Sequence, residues 1–180
     1  MDIGASDGIG HNNTYAFEQL GWRGFCVEAR KDFFSRLQTN RRCDKYNFAL
    51  SSEKNDAVLF ITSFTEERQG WSGIVSTMPD SFLAEIEKYG NTERTMIPAT
   101  TFNDIMKNYP DVTHIDYLSI DCECHELNVL KGIDFAKYTF GLITIEKHNP
   151  EKLKELLGNN GYFCFMEIES DLMFIPINGE

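Results

Sequence analysis

The chain has 180 residues, 42% hydrophobic and 25% charged, with a formal net charge of −11. That length suits one domain, 1–180, which can bury roughly 70% of the surface its unfolded form exposes and so needs no metal or disulfide to fold. The charge excludes a large duplex-nucleic-acid face, which needs clustered Lys and Arg. No stretch approaches the ~20 apolar residues of a membrane span. A small anionic ligand in a local pocket stays compatible with this composition.

Taken in chain order, the sequence opens on "MDIGASDGIG", in which Asp2, Gly4 and Gly8 make a D-x-G-x-x-x-G turn. Such a turn normally follows a buried strand, yet only Met1 precedes Asp2, so the first strand is read as largely missing and the chain as truncated or minimal. "HNNTYAFEQLG" (11–21) reads as a helix capped by Asn12, Asn13 or Thr14. "RGFCVE" (23–28) is a strand, and "KDFFSRLQTN" (31–40) a helix with Phe33, Phe34 and Leu37 at helical spacing. "YNFAL" (46–50) and "AVLFIT" (57–62) are strands, and the polar segment 63–80 is long enough for a functional loop or lid. A helix over 81–90, stopped by Gly90, precedes a short extended piece, 96–101, and a short helix, 101–110, ended by Pro110.

"IDYLSID" (115–121) is a strand and "ELNVLKG" (126–132) a helix. "FGLITIE" (140–146) is apolar enough for a strand buried on both faces. "PEKLKELLGNNG" (150–161) is a helix opened by Pro150. "YFCFMEI" (162–168) and "LMFIPI" (172–177) make a terminal hairpin. Helices between strands predict a mostly parallel sheet, with the hairpin as an antiparallel edge. Five cysteines, odd in number and scattered, predict reduced thiols in a cytoplasmic protein.

Glycines at positions 4 and 8 let a backbone approach a ligand closely, and a helix beginning just after them favours an anion. Reading from either glycine fails to give the G-x-G-x-x-G dinucleotide spacing, which counts against a nicotinamide oxidoreductase. Glu28, 20 residues beyond Gly8 at the end of the next strand, is placed to accept ribose hydroxyls. Without a ligand, the same features reduce to a structural turn and a surface glutamate.

"DIGASDG", "GWRGFCVE", "YLSIDCECHELNVLKGIDF" and "ITIEKHN", in that order, resemble the FkbM-type S-adenosylmethionine-dependent methyltransferases from Asp2 to about Phe174. The resemblance implies a class I methyltransferase (Rossmann-like) α/β fold with seven strands, the last antiparallel. It implies S-adenosyl-L-methionine as cofactor, with Asp2, Gly4 and Gly8 around its methionine and ribose parts. Glu28 would hold the ribose, Ala49 and Leu50 would border the adenine, and Asp121 would face the cofactor's amino group or the substrate. It further implies methyl transfer to a hydroxyl oxygen of a sugar or other small molecule. Two departures stand out: Cys124 replaces a glycine usual in the family, and the family's first strand is mostly absent.

Asp121, Glu123, His125 and Glu126 follow one predicted strand, and Glu146, His148 and Asn149 another, so both groups should converge above the sheet. Oxygen methylation needs a positioned hydroxyl and a base for its proton. His148 is the first candidate for that base, with Asp121 and Glu123 as rivals. His125 is read as solvent-facing, and Glu126 as a helix-start carboxylate. The carboxylates could instead bind Mg²⁺ or a similar hard ion, a divalent metal that is not the favoured reading. Trp71 reads as a cap over the ligand or as a plain hydrophobic plug. The competing functional reading is a non-catalytic module that binds a nucleoside, or self-associates through an exposed sheet edge.

Overall fold

The computed structural model describes residues 1–64, 71–88 and 91–177. The predicted helix stop at Gly90, and part of the predicted lid (65–70), lie outside the described residues. Among the described residues, eleven strands and six helices follow in chain order: β1 (Asp2–Ile3), α1 (Tyr15–Gln19), β2 (Phe25–Val27), α2 (Lys31–Asn40), β3 (Asp44–Tyr46), β4 (Ala49–Leu50), β5 (Asn55–Ser63), β6 (Ser72–Ile74), α3 (Asp80–Lys88), β7 (Thr92–Thr100), α4 (Phe102–Met106), β8 (His114–Ile120), α5 (Glu126–Lys131), β9 (Thr139–Glu146), α6 (Pro150–Asn159), β10 (Tyr162–Ile168) and β11 (Asp171–Pro176).

The main sheet has seven strands in the order β10-β11-β9-β8-β1-β2-β3. The run from β9 to β3 is parallel, and β11 lies antiparallel to both β9 and β10. This is a Rossmann-like methyltransferase architecture. The terminal hairpin is not simply added at the edge: β11, the last strand, is inserted next to β9, and β10 takes the edge. Leu172 and Phe174 of β11 are fully buried, whereas much of β10 is exposed, including Phe163, Phe165, Met166 and Ile168.

The first strand is short but present, and it sits at the centre. Asp2 pairs with Cys26 on one side and Ser119 on the other, and Ile3 pairs with Val27 and Ile120. Its two residues, both buried, fix the position of the glycine turn between the ends of β2 and β8.

Helices cover both faces. Phe25 of β2 stacks on Tyr109 and meets Phe102 of α4, while its neighbour Cys26 points the other way, into a cluster with Ala5 and Leu37 of α2. That is the alternation a strand imposes. Phe102, Phe140, Leu118 and Phe174, all fully buried, anchor the larger core.

A second sheet, in the order β4-β7-β5-β6, differs from the expected pattern. The segment 46–50 divides into β3, in the main sheet, and β4, in the second. The piece expected at 96–101 is a nine-residue strand, β7, paired antiparallel along β5. The predicted lid contains β6 and a 3-10 turn at Val75–Thr77. Among the described residues, no helix is long and apolar enough to cross a membrane.

Candidate functional site

β2, β1, β8 and β9 run parallel, so their carboxyl ends open on one side, where open α/β sheets place ligands. A cleft of about 470 Å³ lies there. Its floor is the glycine turn and Glu28, one wall is Asp121 to Glu123, and the opposing wall is Phe60 and β6 of the second sheet.

Gly4 lines this cleft, and its backbone is left-handed, with φ +82°. A Cβ on it would stand 1.6 Å from the carbonyl oxygen of Asp121, so only glycine lets the turn lie against the end of β8. Gly8, at φ +84°, has a different task. A Cβ there would strike Leu37 and Arg41, so this glycine seats the turn on α2, outside the cleft lining.

Asp2 also lies outside the cleft lining. It is buried, and its Oδ2 accepts hydrogen bonds from Asn12 Nδ2 and Thr14 Oγ1, both at 2.6 Å. Burial raises its pKa, against those hydrogen bonds. Asn12 Oδ1 in turn accepts from the amides of Thr14 and Tyr15. The start of α1 is therefore satisfied by Asn12, and this five-residue helix is tied down from within rather than left open to an anion.

Glu28 lies in the cleft wall and is buried. The amide of Ser6 donates to its Oε2 at 2.8 Å, and the amide of Arg30 to its Oε1 at 2.7 Å. Both oxygens are thus fixed while each keeps acceptor capacity. Burial pushes its pKa up to about 7, despite these two amides and the Arg30 charge. Ala49 and Leu50 line the cleft. Ala29, Phe33 and Phe48 complete an apolar recess that the sequence reading missed. Phe33 showed helical spacing, but nothing distinguished a cleft-facing ring from a core one.

At the other end, Asp121 and Glu123 line the cleft. Asp121 is pushed up to about 9, first by desolvation and then by Glu146 and Glu123. Glu123 is pushed up to about 8 by desolvation and by Glu146, with His148 opposing. His148 stands behind them rather than in the cleft lining. Its Nδ1 lies 3.1 Å from Glu146 Oε2 and 3.7 Å from Glu126 Oε1, and the amide of Cys124 points at it from 3.2 Å. The Cys124 side chain, Glu126 and Glu146 push its pKa well above the usual imidazole range. All three candidate bases are held toward the protonated form at neutral pH, and of the three only Asp121 and Glu123 line the cleft.

His125 corrects the sequence reading: it is buried, not solvent-facing. Its Nδ1 meets Thr77 Oγ1 at 3.0 Å and its Nε2 meets Ser51 Oγ at 3.1 Å, tying the β8–α5 loop to the second sheet. Burial lowers its pKa to about 4, so it is a neutral crosslink. Glu126 behaves as a helix-start carboxylate, its Oε1 accepting from the amide of Cys122. Trp71 both lines the cleft and packs on Phe82, ring centroids 4.9 Å apart. Cys124 has φ +75°, the backbone its glycine-bearing counterparts would adopt freely.

Comparison with curated proteins and with solved structures finds no match. The sequence profile of the methyltransferase FkbM domain matches residues 2–164, which takes in the glycine turn, Glu28 and both acidic strand ends. The chain therefore belongs to the FkbM methyltransferase family.

Proposed function

We propose that the protein is an S-adenosylmethionine-dependent O-methyltransferase acting on a hydroxyl of a small molecule, sugars among the candidates. The observation that carries this reading is Glu28, a buried carboxylate at a strand end with both oxygens fixed by amides and facing a cleft. That is the acceptor pair a ribose diol requires. The recess of Ala29, Phe33, Phe48 and Leu50 offers an apolar surface to a purine, and the glycine at position 4 leaves room for close backbone approach. The residues present fit an adenosyl ligand.

S-adenosylmethionine, when bound, supplies an electrophilic methyl group on a sulfonium. An acceptor hydroxyl held in line with that carbon would take the methyl group, with the sulfide as leaving group. The hydroxyl proton must leave, and Asp121 and Glu123 are the cleft-facing groups that would take it. With pKa values pushed up to about 9 and about 8, they would be ionised for that role in mildly alkaline solution. β6 and Trp71 close the opposite wall and would exclude water from the sulfonium. Five free cysteines support a reducing, cytoplasmic setting.

Isothermal titration with S-adenosylhomocysteine tests the reading. One equivalent should bind to the wild type, and Glu28→Ala should bind at least tenfold more weakly. Absence of binding to a folded wild-type protein contradicts the proposal.

A further inference from the structure

Away from the cleft lining, two of the five cysteines meet. The Sγ atoms of Cys26 and Cys43 lie 3.5 Å apart on the α2 side of the main sheet. The fold brings them together: Cys26 is the middle residue of β2, and Cys43 immediately precedes β3, the parallel neighbour of β2. Their surroundings differ. Cys26 is fully buried beside Ala5 and Leu37, whereas Cys43 is partly exposed.

A second observation concerns access. A cavity of about 30 Å³ is lined by Cys43, Glu18, Arg41 and Trp22, among others, but not by Cys26. A water-sized molecule needs about 10–15 Å³ of such space, so the cavity has room for a molecule of two oxygen atoms. Cys43 is therefore the sulfur that a small solute reaches first. The charges around the pair agree with that order. The Cys26 thiol, hydrogen-bonded to Cys43, and the Arg41 charge hold the Cys43 thiol below its ordinary range, against burial and Glu18. The same contact with Cys43, and then burial, push the Cys26 thiol up. The pair thus keeps its proton on Cys26 and gives thiolate character to Cys43.

We propose that Cys43 and Cys26 are a site of oxidation by small hydroperoxides, with Cys43 as the nucleophile and Cys26 as the resolving thiol. The Cys43 thiolate attacks one peroxide oxygen and the O–O bond breaks. Hydroxide leaves, taking a solvent proton to become water, and Cys43 becomes a sulfenic acid. The Cys26 sulfur then attacks the Cys43 sulfur. The sulfenic hydroxyl departs with the Cys26 proton as water, and the S–S bond forms. The two thiols lose two electrons and the peroxide gains them. For this the sulfurs must close from 3.5 Å to a bond of about 2.05 Å. Cys26 is fixed in β2 by its pairing with Asp2 on one side and Lys45 on the other, so Cys43 supplies the movement.

That movement reaches the glycine turn. The Cys43 amide and the Arg41 guanidinium share Glu18 Oε2, and Lys45 Nζ donates to the carbonyls of both Arg41 and Cys43. Drawing Cys43 inward pulls on Arg41, which donates to Gly8 O. Oxidation should therefore weaken S-adenosylhomocysteine binding several-fold. This consequence rests on the methyl-transfer reading; the thiol pair itself does not.

Treatment of the reduced full chain with hydrogen peroxide, then alkylation of the remaining thiols and peptide mass spectrometry without reductant, tests the site. Peptides cross-linked through Cys26 and Cys43 should form and should separate again with dithiothreitol. Cys26→Ala should stop the reaction at a Cys43 sulfenic acid, trapped by dimedone, whereas Cys164→Ser should leave the cross-link unchanged. Thermal unfolding checks the fold of each variant, and the wild-type map stands without them. Folded wild type whose Cys43 resists peroxide, or which forms its disulfides between other cysteines, overturns the proposal. A Cys26–Cys43 bond that leaves S-adenosylhomocysteine affinity unchanged upholds the site and removes its coupling to the turn. The same bond in a protein that binds no S-adenosylhomocysteine in either redox state upholds the site and removes the methyl-transfer reading alone.

Discussion

The carbonyl oxygen of Asp121 occupies the place where a side chain on Gly4 would begin, 1.6 Å from an ideal Cβ. The glycine turn and the Asp121 wall of the cleft are therefore in direct backbone contact. Gly4→Ala would have to separate β1 from the end of β8, in addition to straining a residue at φ +82°. A loss of more than about 3 kcal/mol is expected, beyond the 1–3 kcal/mol of backbone strain alone. Gly21 provides the comparison: it has φ +91° but open space around it, so Gly21→Ala should cost only about 1 kcal/mol. Urea unfolding of the two variants measures the difference. Equal losses would show that the contact with Asp121 is unimportant.

Glu28 gives the pH dependence of ligand binding. Its pKa, pushed up to about 7 against an ordinary 4.5, means that the folded protein begins to take up this proton near neutral pH. Asp2 pushes in the same direction, and Arg30 opposes it. A ribose diol needs the ionised form, so S-adenosylhomocysteine affinity should fall about tenfold from pH 8 to pH 6. The effect on stability has the opposite sense: this group favours folding least above pH 7 and progressively more as pH falls toward 4.5. Calorimetric titration at several pH values should show the drop in affinity. A flat wild-type profile would mean that Glu28 does not meet the ligand as a carboxylate.

Cys124 occupies a left-handed backbone position that glycine adopts without strain. Its side chain packs against the cluster of Ile61, Met78 and Ile86, which limits what glycine gains by replacing it. Cys124→Gly should lie between neutral and about 1 kcal/mol more stable. Cys124→Val, β-branched at positive φ, should lose about 2 kcal/mol or more. Thermal unfolding of the pair separates the outcomes, and a glycine variant less stable than the valine one would contradict this account of the loop.

Arg41 holds the glycine turn to α2. Its guanidinium donates to Gly8 O, Asn12 Oδ1, Thr14 Oγ1 and Glu18 Oε2, with both ionic side chains largely buried. Removing one partner of such a pair costs roughly 3–5 kcal/mol. Arg41→Ala should lose that much in urea unfolding. Arg41→Lys should recover little, because an ammonium cannot reach four acceptors arranged around a planar fork. Full recovery by lysine would reduce the network to a simple charge effect.

The elements legible in the sequence were those with long, clean periodicity. α2 spans Lys31–Asn40, as its Phe33 and Leu37 spacing predicts, and β9 follows the apolar run ending at Glu146. The second sheet was not legible. β7 opens on four consecutive polar residues, 92–95, and carries a proline, and its pairing with β5 is a long-range event that no local pattern records. In the site, Glu28, Asp121 and Glu123 follow strand ends, a position that sequence can locate. Asp2 and Gly8 were harder, because a residue facing the ligand and one bracing the turn from behind have the same spacing. His125 was misread as exposed because its partners, Ser51 and Thr77, are distant in sequence.

The most direct test of the central claim is a crystal structure of the protein soaked with S-adenosylhomocysteine. The account predicts the ribose hydroxyls on the Glu28 carboxylate, the purine among Ala29, Phe33, Phe48 and Leu50, and the sulfur directed toward Asp121 and Glu123. The ligand seated elsewhere, or a cleft that stays empty in a well-ordered crystal at saturating ligand, would contradict it.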